Sequence, residues 1–466
     1  MSGTLPPPDP SAQASLSATT PNSAATPVGA AVPAPEIHTV RNADHAALAE
    51  LPWHLPLAEW PEKLLGGLPR GISRHVVRYV EIGDEVLAIK ETDDAQATRE
   101  FDILGALGNL DVPLVEARAV VGGRRTGSGQ ALKGALITAY LEFSLPYRAL
   151  FSRDLAEDTG GRLVDALAVL LVRLHLVGFY WGDVSLSNTL FRRDADAYAA
   201  YVVDAETGEL HDQLSDGQRN MDLRIARMNI AGDFLDLQAA GLVAPETDPL
   251  AAGERLCESY NALWAELTRV EEFSVNERWR IDERIRRLND LGFDLGELTV
   301  TTDIDGISLL VSPKVVEPNH HSRRLLRLTG IGANENQARA MLNDLDSFRS
   351  APEIAEFDEL DESQAARRWL DEVYKPLIQA IPENLTRKLE PGQVFYEFAE
   401  HRRTMARAAS ATSPRWRPSP TSSSTTWRTS PTRSATSTAR NSDTLTSADV
   451  PQGETGTAGP PRRAYL

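Results

Sequence analysis

Apolar and polar positions alternate in short runs over the first part of the chain that has a regular pattern. Residues 75–82 (HVVRYVEI) and 86–90 (VLAIK) flank a Gly-Asp-Glu turn, which is typical of a β-hairpin. Two more strand-like runs, 115–121 and 135–141, flank a loop rich in glycine and arginine. The first half of the chain is therefore predicted to contain an antiparallel sheet.

Helical spacing replaces this alternation further along the chain. An apolar helix is predicted over 163–176, and the polar loop 182–188 (GDVSLSN) follows it. Two short apolar runs, 189–191 and 201–203, come next, and the second delivers Asp204. The pattern predicts an α+β fold in which a β-rich part precedes a helical part.

Two carboxylates and one carboxamide lie on this loop and at the end of this strand. Asp183 and Asn188 share the loop with four residues between them, and Asp204 follows the second apolar run. Magnesium prefers hard oxygen ligands, which Asn188 and Asp204 can supply. A carboxylate such as Asp183 can orient and deprotonate an attacking hydroxyl. The set suits phosphoryl transfer, and the alternative is a loop and hairpin whose acids are merely solvated.

The spacing H-x-x-G-x-x-x-G-D-x-x-x-x-N from His175 to Asn188, followed by a strand ending in Asp204, resembles the catalytic loop of the protein-kinase-like superfamily. Gly-Asp in place of Arg-Asp resembles the lipopolysaccharide (Kdo/heptose) and small-molecule kinase branch. The resemblance implies a bilobal fold, with a β-rich small lobe and a helical large lobe. It also implies ATP and Mg²⁺ as cofactors and a hydroxyl of a sugar or lipid-sugar as acceptor. In this scheme Asp183 is the catalytic base and His175 braces its loop.

Upstream residues match the same family in order and separation. Lys90 closes the strand VLAIK, and Glu100 lies on the helix predicted over 95–107. The resemblance implies that Lys90 grips the nucleotide phosphates and that Glu100 orients Lys90. It also places an adenine-binding hinge at about Tyr140 and Leu141. Taken singly, a strand-end lysine or a helical glutamate is more often simply solvated.

The expected phosphate-binding loop departs from the family pattern. The full G-x-G-x-x-G is absent, and the nearest candidate is GGLPRGIS, where Arg70 and Ser73 could help backbone N–H groups to cap phosphates. An ordinary turn explains this segment equally well. A catalytically inactive nucleotide-binding scaffold therefore stands as the alternative function. Further along, Asp233 is a candidate anchor for the catalytic loop or a solvated helical acid.

Composition narrows the partners and the compartment. The net charge of −18 disfavours nucleic-acid and anionic-membrane binding over the chain as a whole. The single cysteine, Cys257, fits a reducing compartment, and no secretory signal is visible at the start. The longest apolar stretch, 163–181, contains three polar or charged side chains, which favours a buried helix over a membrane span. These features predict a cytoplasmic protein without a membrane span; its protein partners stay open.

The second half is predicted to hold helices, a capping box at 274–277 and a hairpin over 298–311. The segments SPKVVEPNHHSRRLLRLTG and LTGIGANENQARAMLNDLDSFR are similar to a family of bacterial proteins known as DUF4032, whose name carries no chemistry. A local basic cluster suggests a third alternative, an anion- or nucleic-acid-binding module, beside the plainer interpretation of a solvated helix start. Its members are Lys314, His320, His321, Arg323, Arg324 and Arg327.

Composition and pattern together divide the chain into four parts. Residues 1–45, rich in Pro, Ala and Ser, are predicted to be disordered. A kinase-like domain is predicted over 46–245 and a DUF4032-like, mostly helical domain over 246–401. From 402 to 466 acids become scarce and Ser, Thr, Pro and Arg dominate, which indicates either a genuine low-complexity tail or a shifted reading frame.

Overall fold

The computed structural model describes residues 33–41, 43–64, 75–151, 159–269, 271–274, 279–302, 308–350, 361–382, 386 and 388–408. Arg70, Ser73 and the glycine-rich segment around them lie outside the described residues, as do most of the predicted disordered terminus and the tail from 409 onwards. The side chain of Lys314 also lies outside them.

The small lobe is a five-stranded sheet in the order β1-β4-β5-β3-β2, with antiparallel neighbours throughout. Its elements in chain order are β1 (Glu36–Thr39), α1 (His45–Ala49), β2 (Val77–Ile82), β3 (Glu85–Thr92), α2 (Asp94–Gly108), β4 (Ala117–Gly122) and β5 (Gly134–Ala139). Two 3₁₀ turns, Leu57–Glu59 and Glu62–Leu64, lie between α1 and β2.

Alternation along β3 explains how this lobe presents a functional side chain. Leu87 and Ile89 point into an apolar cluster with Trp53 and Trp60, while Lys90 points to the other face. The two tryptophan rings meet edge to face with centroids 5.1 Å apart. One face of β3 is apolar and the other carries Lys90. The register of β3 is therefore fixed, because a slip by one residue would place the lysine in the apolar cluster.

Ordered structure begins before residue 46, where the sequence predicted the first boundary. Strand β1 pairs with β4, for example Ile37 with Val121, and Ile37 packs against the apolar cluster of the sheet. Helix α1 begins at His45, and the side chain of Asp44 accepts a hydrogen bond from the Ala47 N–H at its start. The run EIHTV is too short to stand out within the biased composition that surrounds it.

The large lobe is built on one buried helix. Its elements are β6 (Leu145–Pro146), α3 (Tyr147–Phe151), α4 (Thr159–Leu176), β7 (Phe179–Tyr180), β8 (Thr189–Asp194), β9 (Ala197–Val202), β10 (Glu209–Leu210), α5 (Asp216–Ala239) and α6 (Pro249–Thr268). Leu163, Leu167 and Leu171 of α4 are fully buried. Burial of such apolar side chains is the main contribution that stabilises the core of the lobe.

Helix α6 also belongs to the core of the large lobe. Its Leu256, Tyr260 and Leu267 are buried in the same cluster as α4 and α5. The predicted boundary at 245 therefore precedes a helix that packs with the kinase-like part. The amphipathic pattern of α6 gives no indication of which neighbour it covers.

A mixed C-terminal domain follows. Its elements are β11 (Glu271–Ser274), α7 (Trp279–Asp290), β12 (Phe293–Thr302), β13 (Ser308–Pro318), α8 (His320–Thr329), α9 (Glu335–Arg349), α10 (Glu362–Trp369), α11 (Lys375–Gln379) and α12 (Pro391–Ala408). Strands β11, β13 and β12 form an antiparallel sheet in that order, which contains the predicted hairpin. The helices enclose Met341, Trp369 and Phe395.

Helix α12 continues past residue 401, where the sequence predicted the last boundary. Arg402 pairs with Asp344 of α9 across 2.5 Å, so the helix still contacts the domain at this residue. The described part of the chain contains no helix with the length and apolarity that a membrane crossing needs.

Candidate active site

Lys90 of β3 lies at the centre of a charged cluster between the lobes. Its Nζ is 2.8 Å from Glu100 Oε2 on α2 and 3.1 Å from Asp204 Oδ2 after β9. The structure thus brings the predicted site residue Asp204 to Lys90, 114 residues earlier in the sequence, and to the neighbour of Lys90, Glu100. Because Glu100 is fully buried, desolvation raises its pKa to about 7, and Lys90 opposes that rise.

At Lys90 the attraction of neighbouring acids outweighs the effect of burial on the pKa. Burial alone would lower its pKa, but the attraction of Glu100 and then of Asp204 outweighs it, and the pKa is raised. The lysine is therefore held as a fixed cation at the cleft. Such a cation suits the α- and β-phosphates of a nucleotide.

The catalytic-loop pair, Asp183 and Asn188, is in direct contact. Asn188 Nδ2 donates to Asp183 Oδ2 and to the Asp183 carbonyl oxygen, both over 2.9 Å. Asn229 of α5, which sequence reasoning missed, donates to Asp183 Oδ1 over 2.9 Å. Two carboxamides therefore fix the orientation of this carboxylate. The amide nitrogen of Asn188 faces Asp183, so its oxygen Oδ1 is directed away from the carboxylate.

Asn188 and Asp204 are brought close by the β8–β9 hairpin. Asn188 precedes β8, Asp204 follows β9, and the carbonyl oxygen of Asn188 accepts a hydrogen bond from Val203 N over 3.2 Å. Their side chains offer oxygen ligands of the type that Mg²⁺ prefers. The hairpin thus places both predicted metal ligands at one end of a short antiparallel pair.

Glu206 is a further carboxylate in this cleft that sequence reasoning did not assign. Its Oε2 lies 3.5 Å from Lys90 Nζ and 3.9 Å from His75 Nε2. Oxygens of Glu100, Asp204 and Glu206 approach within 4.8 Å of one another, close enough to share a cation. The only signal in the sequence is an acid two residues after Asp204.

The backbone conformation at position 182 favours glycine. Its φ is +77°, in the left-handed region, and an added Cβ would lie 3.3 Å from Tyr180 and 3.4 Å from the Thr207 carbonyl. Only glycine adopts this conformation without strain. The Gly-Asp signature therefore follows from how the chain turns into the loop.

Asp222 of α5 holds the beginning of this loop. Its carboxylate accepts hydrogen bonds from Trp181 N over 2.8 Å and from Gly182 N over 2.7 Å. His175 Nε2 lies 3.2 Å from the same carboxylate, and His175 Nδ1 lies 2.7 Å from the Tyr260 hydroxyl. The structure therefore places His175 beneath the loop, and it adds Asp222, which sequence reasoning missed.

Asp233 holds the far end of the loop. Its Oδ2 accepts a hydrogen bond from Leu186 N over 2.8 Å, which fits the predicted anchoring role better than a solvated acid. Burial raises the pKa of Asp233 to about 6, while hydrogen bonds from Leu186 and Ser187 oppose the rise. Asp222 and Asp233 lie about three helical turns apart on the same buried face of α5.

The predicted hinge residues lie in the connection between the lobes. Tyr140 N donates to the Val86 carbonyl over 2.8 Å, and the Leu141 carbonyl accepts from Ser144 Oγ over 2.6 Å. Phe143 has a φ of 59°, which closes a tight turn before β6. The segment follows β5 directly, and its role in binding adenine stays a prediction.

The C-terminal domain forms hydrogen bonds with the β8–β9 hairpin, which carries the metal-ligand candidates. At the hairpin tip Ala195 N donates to Gln393 Oε1 over 2.9 Å, and Gln393 Nε2 donates back to the Ala195 carbonyl over 3.0 Å. Asp194 accepts hydrogen bonds from the backbone of Asn336 and Gln337 at the start of α9. These buried contacts fix β8 and β9 from the end opposite to the cleft.

The basic cluster of the C-terminal domain is divided among internal partners. Arg324 Nη2 lies 2.6 Å from Glu362 Oε1, and Arg323 donates to the Pro318 carbonyl over 2.7 Å. The rings of His320 and His321 meet edge to face at 5.0 Å. The described members therefore do not form one continuous cationic face.

Comparisons with known families agree with this geometry. Residues 81–237 match the model of the lipopolysaccharide kinase (Kdo/WaaP) family. The match spans Lys90, Glu100, Asp183, Asn188 and Asp204. The chain carries a kinase-like domain. The predicted bilobal fold, with a β-rich small lobe and a helical large lobe, is confirmed.

Residues 262–414 match the model of DUF4032, a domain of unknown function, which confirms the second predicted resemblance. No curated protein matches the chain. The DUF4032 match begins within α6 and extends beyond α12, so it spans the whole described C-terminal domain.

Solved structures similar to this chain include "WaaP in complex with acyl carrier protein" at 16% identity, covering 49% of this chain and 90% of that one, with a TM-score of 0.28. An aminoglycoside-3'-phosphotransferase of type VIII matches at 15% identity over 42% and 93% of the two chains, with a TM-score of 0.24. With TM-scores this low, the fold assignment rests on the family match and on the topology described above.

Proposed function

We propose that this protein is an ATP- and Mg²⁺-dependent phosphotransferase that acts on a hydroxyl group. The observation that carries the proposal is the contact of Lys90 with Glu100 and Asp204, since it assembles a phosphate-binding cation and a metal ligand in one cleft. This arrangement matches what phosphoryl transfer requires, because the enzyme mainly positions the reactants and stabilises charge. A sugar or lipid-linked sugar is the acceptor class to test first.

Each side chain has a distinct role in the proposed reaction. Lys90 binds the phosphates and Glu100 keeps it oriented. Asn188 and Asp204 would hold Mg²⁺, which would supply positive charge to stabilise the phosphate groups. The residues fit that ion, because all the donor atoms are hard oxygens.

Asp183 is assigned to the acceptor hydroxyl. Its two oxygens are each fixed by a carboxamide, from Asn188 and Asn229. A carboxylate fixed in this way can act as a general base once the hydroxyl lies within hydrogen-bond distance. The proton would pass from the acceptor oxygen to Asp183 as that oxygen attacks the γ-phosphorus. The bond between the γ-phosphorus and the oxygen that joins it to the β-phosphate would break, and ADP would leave with that oxygen.

A nucleotide-binding scaffold without turnover is the second candidate function. Glu206 supports it, because its carboxylate lies 3.5 Å from Lys90 and competes with phosphate for the same cation. A nucleic-acid-binding function for the C-terminal basic cluster has less support, since Arg323 and Arg324 have internal partners and the chain carries a net charge of −18.

Binding of MgATP can be tested by thermal shift on the full chain. Wild type should be stabilised by ATP with Mg²⁺ by about 3 kcal/mol at a hundredfold excess over the dissociation constant. Asp204→Asn is nearly isosteric and should lose the Mg²⁺-dependent part while unfolding at a similar temperature without ligand. A variant that still shifts like wild type would show that Asp204 does not hold the metal.

A further inference from the structure

A second cavity lies between the kinase-like lobes and the C-terminal domain. Its volume is about 1100 Å³, and its walls come from α4, β9, the segment 108–114 and the helices α8 and α9. Lys90, Asp183, Asn188 and Asp204 do not line it. The cavity is therefore separate from the proposed active site, and its size is close to that of small-molecule sites in proteins.

Arg173 of α4 lines this cavity without a hydrogen-bond partner. Its Nε is buried and unpaired, and no hydrogen bond or direct ion pair joins its guanidinium to a described residue. One face of the guanidinium lies 5.9 Å from the centre of the Phe293 ring, which leaves the N–H edges unused. An arginine has five N–H donors, and this side chain is only partly buried, so its remaining donors are available to the cavity that it lines.

Neighbouring acids do not satisfy this arginine. Asp111, Asp194 and Glu335 are near enough to act on its charge, yet burial dominates and lowers the pKa of Arg173. Asp194 and Glu335 accept hydrogen bonds from the first turns of α9 and α8, respectively, and Asp111 accepts one from Asn319. Asp194 and Asp111 thus link the kinase-like lobes to the C-terminal domain, whereas Glu335 links α9 to α8 within that domain.

His321 of α8 also lines the cavity and has an unpaired ring nitrogen. His321 Nε2 is buried without a partner, and the backbone N of His321 donates to Glu335 over 2.7 Å. Glu335 acts on the charge of both Arg173 and His321, so the two side chains share one neighbourhood. The rest of the lining includes apolar side chains such as Leu114, Val169 and Leu326.

We propose that this cavity binds a small organic anion with an apolar body, and that the guanidinium of Arg173 holds its anionic group. A phosphate ester or a carboxylate fits equally, because arginine pairs with both through two parallel N–H donors. The site exists only where the kinase-like lobes meet the C-terminal domain, which gives that domain a ligand-binding role.

The test uses three probes of similar size on the full chain: phenyl phosphate, benzoate and benzyl alcohol. Ligand-observed saturation-transfer NMR detects millimolar affinities. One or both anions should bind wild type, and the alcohol should bind at least tenfold more weakly. Arg173→Met should weaken anion binding by roughly 10- to 100-fold, the range for a lost hydrogen bond to a charged group. Arg173→Lys, which keeps the charge but loses the planar fork, should weaken it by a smaller factor.

Two controls keep the outcome decisive. Lys90→Ala removes the phosphate-binding cation of the other cleft, so the anion binding that this variant retains belongs to the cavity beside Arg173. Arg224→Met alters an exposed arginine of α5 and should leave anion binding unchanged. If Arg173→Met does not fold, Arg173→Lys carries the comparison. The proposal is overturned if neither anion binds wild type, if the alcohol binds as well as the anions, if the anions bind Arg173→Lys as tightly as wild type, or if Lys90→Ala abolishes binding.

Discussion

Asp222 lies beneath Gly182, and its carboxylate accepts the Gly182 N–H over 2.7 Å. The same side chain accepts the N–H of Trp181 and faces His175, so one buried acid orders both the loop and the helix end that leads into it. The start of the loop 182–188 is thus held by α5, and its geometry depends on a residue outside the loop.

Asp222→Ala should therefore destabilise the whole protein. Two backbone N–H groups and the imidazole would lose their acceptor in the interior, which costs about 2–5 kcal/mol. Urea unfolding followed by circular dichroism measures the change in the free energy of unfolding. Asp236→Ala, at an exposed position of the same helix, is the matched control and should change it by under about 0.5 kcal/mol. Similar losses for the two variants would contradict the anchoring role.

Because of His175, the free energy of unfolding should fall at acidic pH. Burial lowers the pKa of His175, so the folded protein keeps it neutral while the unfolded chain binds a proton near its ordinary value of about 6.5. The stabilising contribution is complete above that value and is lost as the pH falls below it, by at most about 1.4 kcal/mol per pH unit. Unfolding free energies of wild type and His175→Gln, measured from pH 7.5 to 5, should converge in acid. Parallel curves would show that His175 is not held neutral.

Gln393 should link the C-terminal domain to metal binding. It pairs with both backbone groups of Ala195 at the tip of the hairpin that carries Asn188 and Asp204. Gln393→Leu would leave those two groups unpaired and should cost roughly 2–4 kcal/mol of unfolding free energy. It should also weaken Mg²⁺-dependent ATP binding, measured by calorimetry, whereas Arg403→Ala on the exposed side of α12 should change neither. Unchanged ATP binding in a folded Gln393→Leu would show that the domain does not position the metal ligands.

Sequence reasoning worked best where the signal is local. Asp183 and Asn188 share one loop, and Asp204 ends a clear apolar strand, so their types and spacing could be interpreted without a structure. Lys90 and Glu100 could be added because they occur in the family's order. The structure then places Lys90 within 3.1 Å of Asp204.

The residues that were missed act through tertiary contacts. Asp222 and Asn229 look like ordinary polar positions of an amphipathic helix, and only the packing of α5 beneath the loop gives them their partners. Arg173 looked like one charge within an apolar helix. Its unpaired state depends on Phe293 and on the C-terminal domain, which the pattern of α4 cannot reveal.

The most direct test of the proposed function compares wild type with Asp183→Asn and Lys90→Ala. The measurement is transfer of the labelled γ-phosphate of ATP to water, to sugars or to lipid-linked sugars, beside MgATP affinity by calorimetry. Asp183→Asn should lower turnover by roughly 10²–10⁴, the usual range for a general base, while MgATP affinity stays within a few-fold of wild type. Lys90→Ala should lower both, because the phosphates lose their fixed cation. The account is contradicted if wild type binds MgATP without turnover on any acceptor, or if Asp183→Asn turns over as fast as wild type.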